Sequence, residues 1–172
     1  MDLYRLIASH SQGISSAIEI GCGEGFNLRH IKCNVKIGID AFLPILDKYN
    51  LQDKVVRMCY DLKHGIPFIN NSVDIVFGVD IIEHFKKADA LYVIAECERV
   101  AKNKVFFFIP VGNHPQTEDD RGLGNDYYQT HRSQWVPEDM EALGYSVIYE
   151  AYHFHHADKD QGAMFCWKVR GE

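Results

Sequence analysis

The chain has 172 residues, 47% of them hydrophobic and 24% charged. That composition excludes disordered, collagenous and coiled-coil classes, and a single domain spanning residues 1–172 can bury about two-thirds of its unfolded surface. Lys plus Arg total 18 against 24 for Asp plus Glu, a formal net charge of −6, which is the opposite of a general nucleic-acid binder. The five cysteines at 22, 33, 59, 97 and 166 are odd in number and lack any CxxC spacing. They read as reduced thiols rather than a disulfide framework or a structural zinc site. The first twenty residues carry no signal-peptide pattern, and the longest strongly apolar run, Val105 to Val111, is far too short to span a bilayer. The expected location is cytoplasmic, with no membrane association.

Short apolar runs alternate with amphipathic stretches along the chain. Ala17 to Ile20 reads as a buried strand that enters a turn at Gly21. Phe26 to Ile31 has helical spacing. Val35 to Ile39 is a second strand ending at Asp40, and Phe42 to Leu51 a second helix. Val55 to Cys59 and Val73 to Val79 are strands closed by Asp61 and Asp80. Ala88 to Val100 is the clearest helix, with Leu91, Ile94, Ala95 and Val100 near one face. Val105 to Ile109 is a fifth strand, halted by Pro110. This β-α order implies a parallel sheet covered by helices on both faces. The polar stretch from Val111 to Gln134 is too long for an ordinary connection and is expected to be functional. Pro137 to Leu143 is a short helix, followed by strands at Tyr145–Phe154 and Ala163–Val169.

The strongest local signal is Glu19-Ile20-Gly21-Cys22-Gly23-Glu24-Gly25 between a strand and a helix. A dinucleotide loop wants G-x-G-x-x-G around a pyrophosphate. Here the third glycine comes one residue early, and Glu19 and Glu24 would repel phosphate, so a cationic ligand suits the loop better than a nicotinamide dinucleotide. Asp40 stands 19 residues after Gly21, at a strand end, where a carboxylate can accept both hydroxyls of a ribose. Asp61 and Asp80 close the next two strands. In an open α/β sheet these strand ends converge on one ligand.

These segments, with Gly38-Ile39-Asp40, Tyr60-Asp61-Leu62, Val73-Asp74-Ile75-Val76-Phe77 and Asp80-Ile81-Ile82-Glu83-His84-Phe85, resemble a small class I S-adenosylmethionine-dependent methyltransferase. The likeness runs from about Ile14 to Pro110 and resumes from Gly144 to Val169. It implies a Rossmann-like three-layer αβα sandwich with a seven-stranded, mostly parallel sheet in the order 3-2-1-4-5-7-6. The last strand would be antiparallel and would lie between strands five and six. It implies S-adenosylmethionine as cofactor, with Glu19, Gly21, Cys22 and Gly23 at its methionine part. Asp40 would bind the ribose with Ala41 beside the adenine, Asp61 and Leu62 would hold the adenine edge, Val79 and Asp80 would lie near the ammonium and sulfonium, and His84 would sit beside the cofactor or line the entrance.

Methyl transfer from a sulfonium is an in-line displacement in which positioning supplies much of the rate, and a base is needed only when the acceptor enters protonated. The acceptor pocket is expected in the Val111–Trp135 segment, with His131, His114 and Tyr127 as candidate catalytic residues. Packing of a lid is the bland reading of the same residues. No metal ligand is assigned: His153, His155 and His156, with Asp158 and Asp160, read as a solvated hairpin end before they read as a metal site. The position after strand four reads Val79-Asp80-Ile81-Ile82, without the N/D-P-P-Y/F motif of base-amino methyltransferases. The competing class is a non-catalytic or partner-dependent subunit of the same fold, as a homodimer or with another chain. The methyl acceptor itself stays unidentified at this level.

Overall fold

The computed structural model describes residues 2–48, 55–119, 121–150 and 162–171. One seven-stranded sheet runs in the order β3-β2-β1-β4-β5-β7-β6. Its strands are β1 Ser16–Ile20, β2 Val35–Asp40, β3 Val55–Cys59, β4 Val73–Val79, β5 Ala101–Pro110, β6 Ser146–Glu150 and β7 Ala163–Val169. The first five are mutually parallel, and β7 pairs antiparallel with both β5 and β6. The expected Rossmann-like architecture and strand order are therefore present.

Alternation along the central strands builds two cores, because successive side chains leave a strand on opposite faces. Ile18, Ile20, Ile37, Ile39, Val76, Val105 and Phe107 pack on one face beneath α3, Lys87–Val100. Ala17, Ile75, Phe77, Phe106, Phe108 and Phe165 pack on the other beneath α1, Leu3–His10. The α1 helix, capped by Asp2 accepting from the Arg5 amide, is an element that the strand pattern did not announce.

The helical layers depart from expectation in detail. The stretch after the glycine turn forms only a 3-10 turn, Asn27–His30, because the turn consumes the residues a full helix would need. The second predicted helix is one turn, α2, Leu43–Leu46, and residues 49–54 lie outside the described residues. In α3 the buried face is Ala90, Val93, Ile94, Cys97 and Val100, not the one through Leu91 and Ala95. Small Ala90 and Cys97 let the helix approach the sheet, and Leu91 is left 41% exposed. The long polar stretch contains one short helix, α4, Asp126–Gln129, before α5, Pro137–Ala142. The turn expected between the last two strands, with His153, His155, His156, Asp158 and Asp160, lies outside the described residues.

Candidate active site

The carboxyl ends of the parallel strands face one cavity of about 380 Å³, within the usual size range of small-molecule sites. Chain geometry at β1 and β2 sets one wall. Gly21 leaves β1 with φ +63, and a Cβ there would lie 2.5 Å from the Ile81 side chain, so only glycine lets the turn and Ile81 share the space. Gly38, beside it on β2, would place a Cβ 2.7 Å from the Cys22 sulfur. The turn is tied down by the Cys22 amide on the Ile39 carbonyl at 3.1 Å. The Gly23 and Phe42 amides donate to the two Asp40 carboxylate oxygens at 3.0 and 2.9 Å. Asp61 accepts the Lys63 amide at 3.0 Å and opens a 3-10 turn over Leu62–His64.

The opposite wall follows β4. Asp80 takes a left-handed backbone, φ +47, unusual for a residue with a Cβ, and its amide donates to the Phe108 carbonyl at 2.9 Å. A 3-10 turn at Ile82–His84 then carries Glu83 and His84 into the wall. The segment before α5 folds back over this turn. The Arg132 and Ser133 amides both donate to the Glu83 carbonyl, at 2.8 and 3.1 Å, and the Arg132 guanidinium donates to the carbonyls of His84, Thr130 and Tyr127. The His84 and His131 rings meet edge to face, 4.7 Å between centroids. His131 Nδ1 donates to the His114 carbonyl at 2.5 Å, which leaves the lone pair of a neutral ring on Nε2.

The sequence-derived candidates are thereby sorted. Gly21, Cys22, Gly23, Asp40 and Ala41 line the cavity from the first two strands. Asp61, Leu62, Val79, Asp80 and His84 line it from the next two, and Tyr127 and His131 from the covering segment. Two candidates are not on the surface. Glu19 is fully buried behind the glycine turn, where it accepts from Asn27 at 2.7 Å, and Asn27 is the residue that reaches the cavity. The His114 ring pairs with the Val111 carbonyl at 2.8 Å, so its backbone, not its imidazole, meets His131. Glu83 stood in the motif after strand four, and Asn125 and Arg132 in the polar stretch, without a role assigned to them; Arg121 joins them in the lining. Glu83 was visible as the acid three residues beyond Asp80, one helical turn further along the same wall.

Burial sets the protonation states. It pushes the Glu19 carboxyl up to about 8, and it raises the Asp40 carboxyl above the ordinary carboxylate range. Burial raises Glu83 well above that range, with the Asp80 charge adding to the effect. His84 is driven down to about 4 by burial and by His131, so its imidazole is neutral at physiological pH. The Cys22 thiol is raised by burial, then by Glu19 and Asp40, and is no thiolate nucleophile.

A methyltransferase domain profile matches residues 18–109, just over half of the chain. The uncharacterized protein MJ0638 of Methanocaldococcus jannaschii is 26% identical over 132 residues, which are 77% of this chain and 55% of that protein. The chain thus spans about half the length of the curated relative it matches. Phosphoethanolamine N-methyltransferase 2 of Haemonchus contortus, solved with S-adenosyl-L-methionine, superposes with a TM-score of 0.70 at 16% identity, over 99% of this chain and 53% of that one. A chain of the complex between the Haloferax volcanii Trm112 methyltransferase activator and a methyltransferase superposes with a TM-score of 0.67 at 14% identity, over 96% and 87%. With the strand order, the glycine turn and the domain match in agreement, the chain belongs to the methyltransferase domain family.

Proposed function

We propose that the chain is an S-adenosylmethionine-dependent methyltransferase acting on a small or medium-sized acceptor. The observation that carries this reading is the convergence on one cavity of the glycine turn after β1 and the acids at the carboxyl ends of β2, β3 and β4. The residues fit the cofactor: each Asp40 oxygen accepts one backbone amide and keeps a lone pair for a ribose hydroxyl. Ala41, Asp61 and Leu62 would bracket the adenine. Gly21, Cys22, Gly23 and Asn27, the last held by Glu19, would take the methionine part beside Val79, Asp80 and His84. When bound, the cofactor supplies a methyl group on a sulfonium, open to in-line attack. The chain's own task is then to orient and to exclude water, with residues 121–135 as cover. His131, anchored through Nδ1 on the His114 carbonyl, would take a proton from a protonated acceptor at Nε2, and Tyr127 lines the same cavity. The free cysteines support a reducing, cytoplasmic location, and among the described residues no helix is long and apolar enough to cross a membrane. The net charge of −6 disfavours nucleic acid as the acceptor.

Calorimetry with the cofactor and with its demethylated product tests the reading. Binding in the micromolar range is expected, weakened at least about tenfold in Asp40→Ala, and a folded sample that gives no heat with either compound overturns it. A radiolabelled methyl-transfer screen of fractionated extract, with Asp80→Ala as control, then finds the acceptor. A partner-dependent form of the same reading is favoured by the superposition on a chain solved with a methyltransferase activator. Retained cofactor binding without transfer to any fraction would select it.

A further inference from the structure

One cluster in the cavity wall contains two side chains whose buried polar atoms the packing leaves without partners, Glu83 and His84. Glu83 is 2% exposed, and neither of its carboxylate oxygens has a hydrogen-bond partner among the described residues. Burying a carboxyl without a donor is costly, and the neighbouring Asp80 makes it costlier. The Arg132 guanidinium is committed to three backbone carbonyls and does not relieve it. His84 Nδ1 is likewise buried without a partner, while the ring interacts with the Thr130 and Gln129 backbone. His131 is fixed by its bond to the His114 carbonyl. One ligand atom from each of Glu83, His84 and His131 falls within 4.8 Å of the others. Bonds of about 2.1 Å at tetrahedral angles set ligand atoms about 3.4 Å apart, so the set contracts by about 1.4 Å at its widest to close on a common ion.

We propose that Glu83, His84 and His131 hold a divalent first-row transition-metal ion in the cavity wall. Two imidazoles and one carboxylate suit zinc, cobalt, manganese or iron, whereas magnesium and calcium favour all-oxygen shells. His131 has the arrangement that metal ligands need, with Nδ1 fixed on a backbone carbonyl, and His84 brings a buried Nδ1 that no other group among the described residues satisfies. Three protein ligands leave coordination positions open toward the cavity. On the methyltransferase reading above, an acceptor hydroxyl or carboxylate oxygen fills one of them. The ion lowers the pKa of a bound hydroxyl, whose proton passes to water, and His131 then serves as a ligand in place of a base.

The test is titration of the chelator-stripped whole chain with Co²⁺. One equivalent is expected to bind, with ligand-field absorption, no sulfur charge-transfer band and a raised melting temperature. Glu83→Gln and His131→Ala, each verified as folded by circular dichroism, should weaken that binding at least about tenfold. The triple variant His153→Ala, His155→Ala, His156→Ala should keep it, since those residues offer the other imidazole-rich stretch of the chain. Absence of Co²⁺ binding, binding indifferent to both wall variants, or binding lost in the triple variant overturns the site. The stripped protein is titrated with S-adenosylmethionine in parallel. Cofactor binding without Co²⁺ binding removes only the metal site, and Co²⁺ binding without cofactor binding removes only the methyltransferase reading.

Discussion

Glu19 occupies a strand position between apolar neighbours on both sides, with Asn27 as its side-chain donor and its second oxygen unpaired. Its carboxyl is raised to about 8 from an ordinary 4.5, so the folded state holds a proton that the unfolded chain has released. The sign follows: the contribution is complete below about pH 4.5, declines as pH rises through the window, and is gone above about 8. Glu19→Gln keeps the acceptor for Asn27 and cannot ionise, so its stability should lack this decline, and it should exceed the parent by a few kcal/mol near pH 8. Urea denaturation across the window measures the slope, and equal slopes in the two proteins would contradict the assignment. Gly38 makes a second point about local chemistry. Its missing Cβ is replaced in space by the Cys22 side chain, 2.7 Å away at sulfur and 3.1 Å at Cβ. Gly38→Ala should cost about 1–3 kcal/mol, and part of that cost should vanish in a Cys22→Ala background, which removes the 2.7 Å contact at sulfur and keeps the one at Cβ. A double-mutant cycle by chemical denaturation reads the coupling.

Among elements, the junction of α3 with β4 shows where one side chain holds several backbones together. The Arg99 guanidinium pairs with Glu96 through two 2.7 Å bonds and also donates to Phe68, Asn70 and Ile66, while Glu96 accepts the Ile66 amide. The segment between the Leu62–His64 turn and β4 has no regular structure of its own, so these bonds stand in for it. Arg99→Ala should therefore cost about 1–3 kcal/mol, and Arg99→Lys should recover little, because an ammonium cannot reproduce the fork. Arg5→Ala, whose ion pair with Asp2 is 88% and 53% exposed, should stay within about 0.5 kcal/mol. The contrast also marks what a sequence discloses. The parallel strands were legible to within a residue at most ends, since Val/Ile/Phe runs closed by an acid or glycine have few other readings. The helices were less so: Pro44 starts a single turn, and the Asn27–His30 turn is stabilised by burying Leu28, not by helical periodicity. Lys87, which composition alone makes a surface residue, lies over the Trp135 ring at 3.5 Å and pairs with Asp139 at 2.8 Å, a contact between residues far apart in sequence.

For the molecule as a whole, the cavity wall along the parallel strands could be read from the chain because each strand end is a local signal, and parallel pairing brings local signals to one edge. The covering wall was legible only in part: the long polar stretch pointed to Tyr127 and His131, which line the cavity, but not to what they meet there. His131 reaches Glu83 and His84 only through the fold-back of a segment with little periodicity, held by Arg132 on carbonyls that no composition reveals. The α1 helix escaped for a related reason, being a short amphipathic stretch whose partners lie on β4, β5 and β7. Ile7 is fully buried there against the Phe77, Phe106 and Phe165 face, and His10 stands edge-on to Trp167. On the same helix Tyr4 stacks on His30 at 4.0 Å and reaches the cavity lining. Stability and site are thus joined through one docking surface. Ile7→Ala removes packing that nothing nearby can replace, and it should cost about 2–5 kcal/mol in a single cooperative unfolding transition. Ile69→Ala, at a side chain 80% exposed, should cost no more than about 0.5 kcal/mol. If α1 is part of the cavity's support, Ile7→Ala should also weaken ligand binding under conditions where the protein is still folded, and Ile69→Ala should leave it unchanged. Calorimetric titration of both variants below their unfolding temperatures decides this. An Ile7→Ala protein that is less stable yet binds as the parent does would confine the helix to a structural role.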